Sequence, residues 1–353
     1  MPYTTINDGS KYQQSVQYSG NGGTNAITFG GNSSMQPDWV WIKARATGST
    51  NHYAWDSSRG VTKYLSPSQN IAESADAASL TAFGSDGFTM GDGGAEMNHS
   101  DGRTYIGWGW KCNAGTTETA VSESGDNPGN TRQTNTVPGF SIIEYTGTGD
   151  TGTIAHGLGA VPHCIIFKAL AGTENWPVYH IGTGNTHACD LNRNNAKIDN
   201  AKLLNDTSPT SSVFTITSDS AINADGVAYV AYAFKPIQGF SKFGSYTGNN
   251  SANGTYNYTG FKPAWVIIKN TGGTGNWRIY DNIRSPDNVT KETLISNATD
   301  AETNSNNEID FLSNGFKCRA TDSNTNGDGT SHIYMAFAEH PFVTTTGTPV
   351  TAR

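Results

Sequence analysis

Three stretches of this chain carry the same landmarks in the same order, and an internal repeat constrains a fold more than any local propensity does. Each stretch opens on an aromatic-Ser/Thr-Gly turn: Tyr18-Ser19-Gly20, Tyr145-Thr146-Gly147 and Tyr246-Thr247-Gly248. A proline then leads into an apolar strand that ends in lysine: PDWVWIK from Pro37 to Lys43, PHCIIFK from Pro162 to Lys168, and PAWVIIK from Pro263 to Lys269. The next short strand ends in an aromatic and a polar residue, Trp55-Asp56, Tyr179-His180 and Tyr280-Asp281, the last two with Trp176 and Trp277 upstream. Each copy closes on Asp-Gly and a final strand: Asp101-Gly102 before YIGWGWK, Asp225-Gly226 before YVAYAFK, Asp328-Gly329 before YMAFAEH.

These landmarks divide the 353 residues into an N-terminal arm (1–13), repeat one (14–111), a polar linker or strapping arm (112–138), repeat two (139–238), and repeat three with a C-terminal tail (239–353). Repeats two and three abut, so their mutual orientation is expected to be fixed. The linker, CNAGTTETAVSESGDNPGNTRQTNTVP, is polar and nearly without periodicity.

Strand side chains alternate between faces. In the closing strands Ile106, Trp108 and Trp110 therefore oppose Gly107 and Gly109, Val230, Tyr232 and Phe234 oppose Ala231 and Ala233, and Met335 and Phe337 oppose Ala336 and Ala338. The large face reads as core, and a row of small residues admits close approach of another sheet. Glycine is 41 of 353 residues, and Asn, Ser and Thr crowd the gaps between short apolar runs, which marks many turns. The expectation is an all-β protein of three tandem β-sandwich, jelly-roll-like domains. Glu73 to Leu80 is the one stretch that reads as a short helix.

Composition narrows the partners. Only 15% of residues are charged and the net charge is −8, which opposes electrostatic capture by nucleic acid or anionic lipid. No run approaches 18 apolar residues, and MPYTTINDGS lacks the basic start and apolar stretch of a Sec-type leader. We therefore expect no nucleic-acid partner and no membrane insertion. Cys112, Cys164, Cys189 and Cys318 show no CxxC spacing and read as buried thiols.

Several motifs suggest chemistry and lose to plainer readings. Gly147-Thr148-Gly149-Asp150-Thr151-Gly152 fits a GxGxxG pattern, but the following TIAHGLGAVP does not read as a helix, and the other repeats keep only the turn character. Asp322, Asn324, Asn326 and Gly327 open like a calcium loop, yet Ile333 stands where the bidentate glutamate belongs. His156, His163, His180 and His187 lack regular metal-ligand spacing. No GxSxG elbow or P-loop Gly-Lys occurs. Paired carboxylates for glycan cleavage are the one enzymatic signature the sequence leaves open; Glu308 and Asp310, at i and i+2 on one strand face, form such a pair in repeat three only, and an acidic edge strand explains them more simply. No catalytic residue, metal ligand or cofactor is assigned.

The ordered motifs PDWVWIK, YAWDSSRGVTKYL, LTAFGSDGF, TYIGWGWK, GFSIIEYTGTG, AHGLGAVP, GFSKFGSYTGN and FLSNGFK, with the ending AFAEHPFV, resemble a family of tailed-bacteriophage virion proteins of the structural or tail-fibre type. The resemblance spans roughly residues 12 to 353 and implies a non-enzymatic protein of the virion, made in the host cytoplasm, with other virion proteins (capsid, tail or fibre) as partners. Host attachment, with host-surface glycan as a further partner, is the leading role it implies. A purely structural capsid or tail cement is the alternative, and a glycan depolymerase comes behind both. Phage fibres are commonly trimers, so a homo-oligomer is expected, although each domain is large enough to fold alone.

Trp55, Trp176, Tyr179, Trp277 and Tyr280 are the aromatics to inspect for contact with a ligand. A sugar platform and a buried anchor look alike in sequence, so exposure decides their role.

Overall fold

A computed structural model describes residues 3–349 apart from 47, 93–95, 122–123 and 305–307, and their regular secondary structure is almost entirely β-strand, in several sheets. Each repeat builds its larger sheet in one strand order: opening, closing, apolar, third. In repeat one these strands are Gln13–Ser19, Thr104–Trp110, Trp39–Ala44 and His52–Asp56. In repeat two they are Phe140–Thr146, Ala228–Phe234, Cys164–Ala169 and Pro177–His180, and in repeat three Ser241–Thr247, Ser331–Pro341, Phe261–Asn270 and Arg278–Asp281. The strands between them form a smaller sheet: Asn25–Thr28 with Gly87–Met90 and Leu80–Gly84, then Gly152–Ala155 with Val213–Ile216, then Tyr256–Tyr258 with Gly315–Cys318 and Ile309–Leu312.

Both faces of the closing strands are buried, for different reasons. The small face packs on the smaller sheet of its own repeat: a Cβ on Gly107 would sit 2.8 Å from the Phe88 ring, and one on Gly109 2.5 Å from Phe29. The large face enters a core shared by all three repeats, where Trp39, Trp110, Tyr232, Phe234, Trp265 and Phe337 belong to one buried cluster. Trp39 stacks on Tyr232 at 4.7 Å, and the Phe337 ring lies 5.8 Å from Trp110 and 5.9 Å from Phe234. Aromatics carry large buried area per residue, so this centre binds the repeats to one another.

The third closing strand corrects the expected register. His332, not Tyr334, stands where Tyr105 and Tyr229 stand, and it stacks on Tyr246 at 4.9 Å as Tyr105 stacks on Tyr18 at 5.1 Å and Tyr229 on Tyr145 at 5.2 Å. Tyr334 then falls on the small face, opposite Gly244, where the other repeats pair Val16 with Gly107 and Ile143 with Ala231. Bulk has moved across the strand pair, since a Cβ on Gly244 would meet the Tyr334 ring.

Two further expectations change. Glu73 to Leu80 holds the short strand Ser74–Ala75 and no helix; single helical turns occur instead at Ala201–Leu204, Ser220–Asn223 and Ser323–Asn326. Segment 112–138 is no free linker: Glu118–Val121 and Asn130–Asn135 extend the larger sheet of repeat two, with Asn130–Asn135 antiparallel to Phe140–Thr146. Backbone ladder bonds hold this strand, which is why a polar sequence without hydrophobic alternation forms it. Of the expected arm, Thr4 and Ile6 are buried and Tyr3 donates its hydroxyl to Gly260 O at 2.8 Å, so the chain start lies against repeat three. The four cysteines are buried and free.

Candidate functional site

The recurrent aromatics are core residues. Trp55, Trp176 and Tyr280 are 0% exposed, Tyr179 1% and Trp277 4%, so none presents a ring face to a ligand. The physical reason is their place: Trp55, Tyr179 and Tyr280 lie on third strands buried on both faces, and Trp176 and Trp277 immediately precede theirs. Trp176 donates its indole N–H to Ser66 O and Gln69 O of repeat one, at 3.1 and 3.0 Å, and Trp277 donates to Asp190 O of repeat two at 2.9 Å. His52 holds the same position in repeat one, three residues before Trp55, and its Nε2 reaches Ile295 O of repeat three at 2.9 Å. Each repeat thus bonds a carbonyl of a neighbour through one ring nitrogen, around a closed cycle. The alignment of Trp176 with Trp277 hid His52, whose only signal is its spacing from Trp55.

A second cycle runs through the polar residue that ends each third strand. Asp56 pairs with Arg59 and Asp281 with Arg284, both at 2.6 Å with all four side chains at most 1% exposed. Each arginine takes a second carboxylate, Glu73 at 2.8 Å and Glu302 at 3.0 Å. Tyr232 of repeat two donates to Asp56, and Trp108 of repeat one donates to Asp281. His180 replaces the aspartate in repeat two. Its Nε2 donates to Tyr334 O of repeat three at 3.0 Å while Nδ1 accepts from Gly182 N at 3.0 Å. Burial, opposed in part by the Tyr334 carbonyl, lowers its pKa to about 4.

The remaining sequence candidates serve structure. The Asn326 side chain accepts from Asn249 N, as Asn98 accepts from Asn21 N and Asn223 from Thr148 N, tying down the turn after each opening strand. Asp322 caps the turn Ser323–Asn326 and meets Arg278 at 3.3 Å. Gly147 to Gly152 lead into a strand rather than a helix. His156 is buried, with Nε2 toward Thr210 O and Nδ1 accepting from Leu158 N. Glu308 is 0% exposed, takes the Tyr280 hydroxyl and is raised by burial to about 7, whereas Asp310 pairs with Arg319 at 3.3 Å. Among the described residues no group of three His, Cys, Asp or Glu side chains is placed to hold a metal ion.

What faces solvent is a different aromatic set. Tyr256 and Tyr258 alternate outward on their strand and are 43% and 47% exposed, while Asn257 between them is buried. Lys242 sits over the Tyr258 ring at 5.1 Å and donates to Tyr258 O at 2.6 Å. The Tyr258 hydroxyl meets that of Tyr3 at 3.0 Å, and beside them opens a cleft of about 470 Å³ reaching His163 of repeat two. His163 Nδ1 is buried without a hydrogen-bond partner. The corresponding strands of the other repeats, NAIT and GTIA, carry no aromatic. Two partly exposed tyrosine rings beside an ammonium group and hydroxyls suit a ligand with both C–H faces and polar rims.

Residues 8–341 match the model of a family described as a domain of unknown function, DUF7483, and the chain belongs to that family. No curated protein and no solved structure matches it.

Proposed function

We propose that this DUF7483 protein is a non-enzymatic bacteriophage virion surface protein, of the tail-fibre, fibre-tip or decoration type, that contributes to host attachment. On this reading the three sheet pairs are three tandem β-sandwich repeats closed around one aromatic centre. The virion assignment rests on the resemblance of the ordered motifs to those of tailed-phage structural proteins. The attachment role rests on one observation, the exposed Tyr256 and Tyr258 with the half-buried Lys242 beside them, an arrangement that repeat three alone carries among the described residues. The proposed ligand is a host-surface glycan, whose C–H faces stack on tyrosine while its hydroxyls or carboxylates meet Lys242.

The threefold arrangement that fibres make from three chains is here supplied by three repeats of one chain, so the reading requires no homotrimer. Light scattering on the purified chain tests this, with a monomer expected.

For attachment, the experiment is host-cell binding by the labelled full chain, compared with the Tyr256→Ala, Tyr258→Ala double variant. We expect binding to fall by an order of magnitude or more with an unchanged unfolding midpoint. Equal binding by the folded double variant overturns the assigned face, and immuno-electron microscopy that finds the protein nowhere on virions overturns the virion reading.

A further inference from the structure

In every repeat the opening strand is the outermost of the four strands shared by the larger sheets, and among the described residues only in repeat two is its outer side covered along its length. An antiparallel ladder turns alternate residues toward the partner strand and the rest away from it. In repeat one Lys111 N bonds Tyr12 O and Gly20 N bonds Arg103 O. With Gln14 opposite Gly109 and Val16 opposite Gly107, the even-numbered residues face the closing strand, and Gln13, Ser15 and Gln17 turn their backbone groups outward.

The same parity in repeat two directs Phe140, Ile142 and Glu144 outward, and there they meet a strand: Asn135, Gln133 and Thr131 lie opposite them. Gln133 shows how that strand is held beyond its ladder. Its amide donates to Ser57 and Ser58 of repeat one at 2.9 and 2.7 Å and accepts from Gly115 N at 2.9 Å. In repeat three the outward groups of Ser241 are taken by Ile237, and the chain start crosses there, with Thr4 donating to Gln238 O. In repeat one no strand pairs with the outward side of Gln13–Ser19 among the described residues.

That border opens onto a groove of about 240 Å³ between Gln13, Gln14 and Ser15 of repeat one and Ala264, Asn282 and Ile283 of repeat three. Asn282 and Ile283 follow Asp281 as Ser57 and Ser58 follow Asp56, so the groove occupies the place that Asn130–Asn135 fills in repeat two. The second observation is a side chain. Gln13 is 2% exposed and lines the groove, and its Oε1 has no hydrogen-bond partner. A buried amide oxygen left unpaired is destabilising, and a donor entering the groove removes that cost.

We propose that the Gln13–Ser19 border is a strand-docking groove for an extended polar segment of another polypeptide, laid down as Asn130–Asn135 is laid on Phe140–Thr146. The guest donates backbone N–H groups to the outward carbonyls and accepts from the outward amides, as in β-augmentation generally. Its residue opposite Ser15 holds the place of Gln133 and points at Asn282, so an amide or hydroxyl side chain is selected there. Gln17, whose Nε2 donates to Ile283 O at 2.8 Å, closes one end and limits the guest to a short strand. The inference does not depend on the virion reading, since it follows from the internal repeat alone.

The test uses the full chain and a synthetic peptide with the sequence of residues 128–137, PGNTRQTNTV, at millimolar concentration, with amide exchange followed by NMR. We expect the amides of Ser15 and Gln17 to exchange about tenfold more slowly with peptide, and no slowing with a peptide carrying proline in place of its glutamine. Ser15→Pro removes the outward donor and leaves the ladder to Thr104–Trp110 formally intact, so the folded variant should lose the effect. Gln13→Leu, which keeps the whole backbone, should weaken it. Unchanged exchange at Ser15 and Gln17, or changes confined to Phe140–Thr146, overturns the proposal. Slowing that grows with protein concentration without peptide assigns the border to a second copy of this chain and overturns it as well.

Discussion

The indole N–H of Trp108 donates to Asp281 Oδ2 across 2.9 Å, joining the closing strand of repeat one to the third strand of repeat three in a site shut off from water. Tyr232 makes the matching bond to Asp56 at 2.7 Å between repeats two and one. Both aspartates also hold a buried arginine, so the contact between repeats and the ion pair within a repeat share one carboxylate.

Removing that carboxylate takes away the nearer of two counter-ions. Asp281→Ala leaves the buried Arg284 with Glu302 at 3.0 Å and the Ile279 carbonyl at 2.9 Å, and we expect a loss of about 3–5 kcal/mol in denaturant unfolding. Trp108→Phe keeps the ion pair and most of the packing, so it should cost about 1–3 kcal/mol. Equal costs for the two variants would show that the shared carboxylate is not the organising feature.

Exchange of bulk between Gly244 and Tyr334 predicts a coupled pair. Gly244→Val alone drives methyl groups into the Tyr334 ring and should destabilise by about 1–3 kcal/mol. Combined with Tyr334→Ala it places a β-branched residue opposite a small one, as Val16 faces Gly107 and Ile143 faces Ala231, and the double variant should be more stable than Tyr334→Ala alone. Strict additivity in a double-mutant cycle would count against the exchange.

His180 gives repeat two a pH dependence at the position where the other repeats hold Asp56 and Asp281. Burial lowers its folded-state value to about 4, below the unfolded value of about 6.5. The unfolded chain therefore takes the proton first. The stability carried by neutral His180 is complete above pH about 6.5 and is lost as pH falls toward 4, by about 3 kcal/mol at most. Both ring nitrogens are engaged, so protonation breaks the bond from Gly182 N to Nδ1. Between pH 7 and 4.5 the wild type should lose more stability than His180→Asn, because groups common to both chains cancel in the comparison. Parallel pH profiles would rule this out.

Trp176 and Trp277 act as anchors between repeats. Trp176→Ala and Trp277→Ala should each cost about 3–5 kcal/mol and, where the chain still folds, leave the proposed glycan binding at Tyr256 and Tyr258 unchanged. A selective loss of binding without loss of stability would return these rings to the ligand site.

Much of the strand plan was legible from the chain itself. Apolar alternation, Asp-Gly turns and ordered landmarks are local signals, and they located the apolar and closing strands of each repeat, with one register slip where His332 takes a tyrosine's place. Local signals also identified the aromatic positions that matter without saying whether they are open. A ring that packs against a neighbouring repeat and a ring that meets a ligand have the same composition and spacing.

What the sequence determined alone was therefore the period, the β class and the two-faced closing strands, because side-chain alternation and turn chemistry act within a few residues of each other. Tertiary structure decided the rest. That the large faces converge on one centre, that Asp56 and Asp281 answer to residues 176 and 173 positions away, and that Asn130–Asn135 becomes a strand all depend on contacts between distant segments. A polar strand held by backbone bonds leaves no hydrophobic pattern to read, and an open border is visible only once the neighbour that covers its counterpart is in place.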